Sequence, residues 1–157
     1  MIISCVKWGT KYDARYVNYL FDMVKRNLLT REGKFVCFTD DPPDLAAGLA
    51  LRPLPEGMTG WWNKLYLFKK DVFPKGEQVW LFDLDTLIVG SLDEILSYNG
   101  DFAILKDFYV PSRGATGIVS WKVSEYTYPV GDTWVAEGQP MENELGDLWW
   151  VNQLDQG

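Results

Sequence analysis

The stretch that decides the fold is Gln78–Asp85, with the sequence QVWLFDLD. Its first five residues are mostly apolar and include β-branched and aromatic side chains, which predicts a buried central strand at Gln78–Phe82. Asp83 and Asp85 follow the strand directly. Side chains alternate along an extended backbone, so we expect both aspartates on one side and Leu84 on the other, inside the packing. Open α/β sheets bind ligands outside the carboxyl ends of their strands, which is where this pair lies.

Two carboxylates held this close repel each other unless a cation neutralises them or one of them is protonated. Hard oxygen ligands suit Mg²⁺ or Mn²⁺, and these ions bridge carboxylates to substrate phosphates. The alternative is a solvated strand end whose two carboxylates bind nothing. For a bare Asp-X-Asp that alternative is the more common one, so the surrounding sequence has to decide.

Outward from this strand, short β-rich runs alternate with helical stretches, as in a mostly parallel α/β sheet. Further strands are predicted at Ile2–Lys7, Lys34–Thr39, Leu49–Leu54, Phe102–Leu105 and Ile118–Trp121. The apolar spacing predicts one helix over Tyr12–Leu29 with a buried face made of Tyr16, Tyr19, Leu20, Met23 and Val24. A second helix is predicted over Trp61–Phe73, stopped by Pro74, and a short third helix is predicted to begin at Ser91, with Glu94 completing a capping box. The tail from Pro129 onward has no clear pattern.

Composition narrows the class of protein. A chain of 157 residues with 47% hydrophobic residues is one domain with a core of its own, and a net charge of -7 argues against a nucleic-acid partner. The opening run Ile2–Val6 is too short for a membrane span and has no features of a secretion signal. Cys5 and Cys37 lie in strand-like runs, so buried reduced thiols and a cytoplasmic setting are expected. The absence of histidine excludes Ser-His-Asp triads and His-ligated zinc.

Beyond the aspartate pair itself, Val79–Ile95 resembles the Asp-X-Asp region of GT-A glycosyltransferases, particularly the glycogenin-like and galactosyltransferase-like (family 8-like) group. In that group an apolar strand delivers the pair, a short strand follows, and a helix then begins with an acidic and hydrophobic sequence. The resemblance implies an α/β, GT-A-like fold with a mostly parallel sheet flanked by helices. It covers almost the entire chain, so residues 1–157 are expected to form a single nucleotide-sugar-binding domain.

The resemblance also implies roles for individual residues. Val6–Tyr12 is similar to the first strand and nucleotide loop, and Cys37–Asp41 to the end of the second strand, so the implied nucleoside contacts are Trp8, Gly9, Tyr12, Thr39 and Asp40. Trp61–Phe68 resembles the helix that brings a basic residue to the diphosphate, which makes Lys64 that residue. Asp83 and Asp85 are implied as ligands of Mn²⁺ or Mg²⁺, with Asp83 also a candidate ribose contact.

Two segments further along the chain resemble the sugar side of the site. Gly117–Val119 is similar to the strand beyond the motif, whose preceding loop approaches the sugar. Gly146–Asn152 resembles a Gly-Asp-Gln segment that opens a helix beside the donor sugar, which implies a catalytic role for Asp147 through the sugar hydroxyls. Each of these assignments competes with a structural explanation: Asp147 also fits a helix cap, Lys64 a solvated charge, and Asp40 a turn.

The implied activity is metal-dependent transfer of a hexose from a nucleotide sugar, a UDP-sugar, to a hydroxyl acceptor on a glycan or glycolipid. The sequence departs from the family pattern in three respects: it has no histidine to close the metal site, no C-terminal lysine for the diphosphate, and Leu148 in place of glutamine. Either a C-terminal portion follows, or the protein is a reduced form in which water or another carboxylate completes the metal site. Donor binding with slow turnover is therefore expected.

Two other functions stay open. One is a non-catalytic nucleotide-sugar-binding module or an inactive remnant of an enzyme, which the missing histidine favours. The other is a haloacid-dehalogenase-like phosphatase, because Phe82–Leu87 is similar to the Asp-X-Asp-Gly-Thr motif of that family, where the first aspartate is the nucleophile. Against the phosphatase, the glycine of that motif is absent and the motif lies in mid-chain.

Overall fold

The computed structural model of the protein describes residues 1–41 and 48–136. Six strands in these ranges form one sheet of order β3-β2-β1-β4-β6-β5. They are β1 (Ile2–Lys7), β2 (Lys34–Thr39), β3 (Ala50–Pro53), β4 (Gln78–Phe82), β5 (Phe102–Lys106) and β6 (Gly114–Lys122). Strands β1 to β4 run parallel, β6 is antiparallel to β4, and β5 is antiparallel to β6. The α/β class with a mostly parallel sheet is confirmed.

Helices cover both faces of this sheet. They are α1 (Ala14–Asn27), the four-residue α2 (Asn63–Tyr66) and α3 (Tyr128–Ala136), with short 3-10 helices at Gly60–Trp62 and Ile95–Ser97. On one face, alternate residues of β1, β2 and β4 pack against the buried side of α1, formed by Val17, Leu20 and Val24. The other residues of the same strands pack with Leu65 of α2, Phe68 and Phe73. Burial on both faces explains why these strands read as continuous apolar runs.

The predicted bounds of β1, β2 and β4 agree with the structure residue by residue. Strand β5 ends one residue later than predicted, and β6 begins four residues earlier, at Gly114. Cys5 and Cys37 are buried and free, opposite each other in the register of β1 and β2. Leu84 is buried in the α1-side core, as the alternation predicts.

The predicted helix over Trp61–Phe73 is wrong in extent. After α2 the backbone amides bond to carbonyls three residues earlier instead of four, at Leu67, Phe68, Lys69 and Val72. Asp71 then adopts a left-handed backbone with φ 70°, which no helix can include. The segment is therefore a series of tight turns whose apolar side chains still reach the core.

Two other predictions about helices need correction. Ser91 does not begin a helix, because its hydroxyl accepts the amide of Asp93 in a local turn and the 3-10 helix starts only at Ile95. Helix α1 buries Val17 in place of Tyr16 and Tyr19, both of which are exposed.

The N-terminus of α1 is capped by Asp13, whose carboxylate accepts the amide of Arg15 at 2.9 Å. The pKa of Asp13 is lowered, first by the side-chain hydrogen bond from Arg15 and then by that backbone amide and by the charges of Arg15 and Lys7. Among the described helices, none has both the length and the apolar character needed to cross a bilayer.

Candidate functional site

The carboxyl ends of β1, β2 and β4 meet at one edge of the sheet. Lys7, the last residue of β1, pairs with Thr39, the last residue of β2, and β4 runs parallel beside β1. The loops that leave these strands therefore start side by side. They carry most of the residues for which the sequence implies a role in ligand binding.

Asp83 leaves β4 in a turn that fixes its backbone on both sides. Its amide donates to the carbonyl of Gly117 on β6 at 2.9 Å, and its own carbonyl accepts the amide of Thr86 at 3.0 Å. The carboxylate forms an ion pair with Lys64 of α2, with Nζ and Oδ1 2.7 Å apart. The Lys64 side chain is 12% exposed and that of Asp83 is 32% exposed. Lys64 also donates to the hydroxyl of Thr116 at 3.4 Å, so α2 is tied to both β4 and β6 at this point.

Asp85 is held by a different part of the chain. The hydroxyl of Tyr12, just before α1, donates to Asp85 Oδ2 at 2.8 Å. The Tyr12 ring packs on Tyr16, with centroids 4.8 Å apart, and the ammonium of Lys11 lies 4.9 Å from its centre. The repulsion expected between the two aspartates is thus reduced by a cation on Asp83 and a hydroxyl on Asp85.

A cavity of about 330 Å³ lies between these groups. Its lining includes Trp8, Tyr12, Trp61, Lys64, Asp83 and Asp85. The lining combines aromatic rings with side chains of both charges, which suits a ligand with a flat ring and anionic groups. A larger hollow of about 830 Å³ lies near the first residues of β1 and β2, away from the aspartate pair. We assign the ligand site to the smaller cavity because the chemically active side chains converge there.

The loop after β1 is held at Gly9 from two sides. Gly9 has a left-handed backbone with φ 61°, which favours glycine. Its amide donates to both carboxylate oxygens of Asp40, at 3.0 and 3.2 Å, and its carbonyl accepts the ammonium of Lys7 at 3.1 Å. Lys7 is only 3% exposed. We call Lys7, Gly9 and Asp40 the Gly9 clamp; it sets the path of the loop that presents Trp8 and leads to Tyr12.

The structure thus brings Trp8, Tyr12, Lys64, Asp83 and Asp85 together around one cavity. Gly9 and Asp40 lie in the adjacent clamp and do not line the cavity. Thr39 is buried, and its hydroxyl donates to the carbonyl of Asp41 at 2.8 Å and accepts the Asp41 amide at 3.2 Å. Nucleoside contacts of Thr39 and Asp40 stay predictions. Asp147 and Leu148 lie outside the described residues.

Sequence reasoning misses two residues of this region. In the sequence Lys7 looks like an ordinary charged residue at the end of a strand. The one available signal for its contact with the loop is that it ends an apolar run two residues before a glycine. Trp61 falls within a predicted helix, and its position at the cavity depends on where the 3-10 helix turns. No periodic pattern carries that information.

The donor atoms near the cavity fit Mg²⁺ or Mn²⁺ under one condition. In residues 1–41 and 48–136 no group of three His, Cys, Asp or Glu side chains is arranged to hold a metal ion. Asp83 and Asp85 offer two carboxylates. Mg²⁺ is commonly bound by one or two carboxylates together with waters and substrate phosphates. The residues therefore fit a cation that binds together with a phosphate-bearing ligand.

Comparison with solved structures identifies the architecture. The glycosyltransferase GlyE of Streptococcus pneumoniae TIGR4 superimposes with a TM-score of 0.70 at 14% identity, over 98% of this chain and 42% of GlyE. The galactosyltransferase LgtC, solved in complex with donor and acceptor sugar analogs, gives a TM-score of 0.65 at 13% identity, over 98% of this chain and 70% of LgtC. The fold is GT-A-like.

The likeness is one of fold and not of sequence. Neither a family profile nor a curated protein sequence matches the chain. An active-site mutant of LgtC gives a TM-score of 0.63 at 12% identity. The chain spans less than half the length of GlyE and about two thirds of LgtC. The GT-A-like sheet therefore accounts for the arrangement of the loops at its carboxyl edge, and the chemistry has to be argued from the side chains.

Proposed function

We propose that this chain is the donor-binding domain of a glycosyltransferase that moves a hexose from a nucleotide sugar, a UDP-sugar, to a hydroxyl acceptor on a glycan or glycolipid. The observation that carries the proposal is the pair Asp83 and Asp85, which leaves the central strand of a GT-A-like sheet beside Lys64 and an aromatic cavity. The fold likeness to glycosyltransferases supports this over the phosphatase, whose motif resemblance is confined to Phe82–Leu87.

In this proposal Asp85 and Asp83 hold Mn²⁺ or Mg²⁺ together with the donor diphosphate. The bound cation would act as a Lewis acid and offset the negative charge that builds on the leaving diphosphate. Lys64 stabilises the same charge from the protein side. Trp8 and Tyr12 hold the nucleoside on the loop that the Gly9 clamp positions.

Ligand binding then requires an exchange of partners at Lys64. Without ligand its ammonium lies 2.7 Å from Asp83. A diphosphate and a divalent cation supply the countercharge that each member of this ion pair needs. We expect Lys64 to turn toward the diphosphate while Asp83 turns toward the cation, so that neither charge loses compensation in a partly buried site.

The test is calorimetry and thermal melting with UDP, UDP-glucose and UDP-galactose, each in Mg²⁺, in Mn²⁺ and in a chelator. Ligand at about 100 times its Kd adds roughly 2.7 kcal/mol of stability, which a melting curve resolves. We expect that gain only with the metal present. Asp101→Asn, at an exposed position before β5, is the matched control for carboxylate loss. Equal stabilisation by nucleotide in the chelator would refute the metal bridge.

A non-catalytic nucleotide-sugar-binding module is the second candidate. It is favoured by the lack of a third metal-ligating side chain near Asp83 and Asp85 within the described ranges. Release of sugar from UDP-hexose, measured with and without a methyl glycoside as acceptor, separates the two candidates. Binding without any release supports the module, and hydrolysis of a generic phosphate ester would instead favour the phosphatase.

A further inference from the structure

Among the tryptophans whose side chains the structure describes, the exposed ones lie at one site. Within residues 1–41 and 48–133, where the structure describes side-chain burial, the chain has five tryptophans. Three of them are buried in the core: Trp62, Trp80 and Trp121. The other two, Trp8 at 38% and Trp61 at 57% exposure, both line the 330 Å³ cavity. Exposing an indole forgoes the free energy of burying it, and among these five side chains that occurs only at the cavity.

The position of Trp61 is fixed by its neighbours. Trp62 on its C-terminal side is buried in the core, and the next residue, Asn63, is buried and donates its side-chain amide to the carbonyl of Gly60 at 2.9 Å. Gly60 turns the chain with a left-handed φ of 57°. Trp61 is therefore held at the cavity by an anchored segment, one turn before Lys64.

The two indoles reach the cavity from different segments of the chain. Trp8 belongs to the loop after β1, beside the Gly9 clamp, where the proposed function puts the nucleoside. Trp61 is carried by the segment that leads into α2 and Lys64, where the diphosphate is proposed to lie. Because the proposed function assigns the nucleobase to Trp8, the indole of Trp61 is left for a different ring.

The indole of Trp61 and the charged groups beside it in the cavity fit a sugar ring. The face of an indole carries negative charge density and attracts weakly positive C–H groups. A pyranose presents several axial C–H groups on one face and hydroxyls at its rim. Carboxylates and an ammonium within the same cavity are partners for those hydroxyls.

We propose that Trp61 is a stacking platform for a pyranose ring, a subsite separate from the nucleoside contact at Trp8. The inference rests on the proposed function and deepens it. The ring comes from one of two sources with the same chemistry: the hexose of the donor or a sugar of the acceptor. Both sources stack through the same C–H face.

The experiment compares Trp61→Ala, Trp61→Phe and the matched control Trp8→Ala. Calorimetry in Mg²⁺ measures the Kd of UDP, UDP-glucose and UDP-galactose, and saturation-transfer NMR measures binding of methyl β-glucoside and methyl β-galactoside. If the donor hexose stacks, Trp61→Ala weakens binding of a UDP-hexose about threefold to tenfold and leaves UDP unchanged. If the acceptor sugar stacks, donor affinities are unchanged and the methyl glycoside signals disappear. Trp61→Phe should retain most of the wild-type binding in either case, because a phenyl ring still stacks on C–H groups, and Trp8→Ala should weaken binding of UDP itself.

Other outcomes overturn the inference. An equal loss for UDP and UDP-hexose in Trp61→Ala would assign the ring to the nucleobase, and unchanged donor and glycoside binding would leave Trp61 without a ligand. Failure of the proposed function is separately visible, because the wild-type protein would then bind neither UDP nor a UDP-sugar with any metal. In that case, a methyl glycoside signal that is present in the wild type and absent in Trp61→Ala would still support the sugar subsite.

Discussion

The ion pair between Lys64 and Asp83 should behave as a partly buried pair whose two members depend on each other. With 2.7 Å between Nζ and Oδ1, Coulomb attraction at an effective dielectric constant near 20 is about 6 kcal/mol before desolvation is subtracted. Exposed pairs contribute roughly 0.2–1 kcal/mol net, and breaking a buried pair costs roughly 3–5 kcal/mol. The Lys64 and Asp83 side chains are 12% and 32% exposed, so this pair is intermediate between an exposed pair and a buried one. We therefore expect Lys64→Met to lower the free energy of unfolding by about 2 kcal/mol.

A double-mutant cycle isolates the pair from the other interactions of both residues. Asp83→Asn should cost less, about 1.5 kcal/mol, because the amide oxygen still accepts a hydrogen bond from the ammonium. The double variant removes both charges and should be little worse than Lys64→Met alone, which gives a coupling of about 1.5 kcal/mol. Urea denaturation without ligand measures all four proteins.

The control for this cycle is the pair Lys75 and Glu125. Its N···O distance is nearly the same, 2.8 Å, but the side chains are 65% and 83% exposed. Lys75→Met and Glu125→Gln should show no resolvable coupling, since solvent screens the pair. Additive effects at Lys64 and Asp83, as small as those at the control pair, would refute the reasoning that this ion pair is a structural part of the site.

Four other variants probe the rest of the edge. Asp85→Asn should abolish metal-dependent stabilisation by UDP and change the melting temperature of the ligand-free protein little, because an amide still accepts the Tyr12 hydroxyl; unchanged UDP affinity would contradict this. Gly9→Ala should lower the free energy of unfolding by about 1–2 kcal/mol through left-handed backbone strain alone, because the added Cβ meets no atom within 4 Å and so adds no clash. Lys7→Met should weaken UDP binding, because it leaves the Gly9 carbonyl without its ammonium partner. UDP binding by Lys7→Met at wild-type affinity would contradict the role given to the Gly9 clamp. Arg15→Ala removes the largest cause of the lowered Asp13 pKa, so it should destabilise the protein at neutral pH. The difference from wild type should disappear as the pH falls below 3.8, where Asp13 becomes protonated. An NMR titration that gives Asp13 the same pKa in Arg15→Ala and in the wild type would contradict this.

The central strands were predictable because their formation depends on local hydrophobicity, which the sequence shows directly. Ile2–Lys7, Lys34–Thr39 and Gln78–Phe82 are continuous apolar runs, and a strand buried on both faces needs little else. The position of Asp83 and Asp85 was also predictable, because charged residues directly after a buried apolar strand mark the point where the chain leaves the core. The parallel pairing then brings Trp8, Asp40 and Asp83 to one edge without further information.

The features that the sequence predicts wrongly or misses all depend on interactions between distant segments of the chain. Helical spacing in Trp61–Phe73 is real, but it cannot show that Asp71 adopts a left-handed backbone. Tyr16 and Val17 are adjacent in sequence, and which of them faces the sheet depends on how α1 is rotated against β1 and β2. Lys7 is notable only because Gly9 folds back on it. Such features require the tertiary structure.

Under the proposed function, the arrangement of charges at the edge predicts that cation and nucleotide bind together. Within the described residues, each of the carboxylates of Asp40, Asp83 and Asp85 already accepts a hydrogen bond or ion pair, from Gly9, Lys64 and Tyr12 respectively. A bare divalent ion must displace Lys64 from Asp83 and so separates a partly buried ammonium from its countercharge. A bare diphosphate adds negative charge beside two aspartates. Only the two ligands together supply a partner to every displaced group, so the coupling between them is favourable in both directions. Calorimetry with Mg²⁺ alone should therefore give weak binding that strengthens sharply in saturating UDP, and an Mg²⁺ affinity independent of UDP would refute this account of the site.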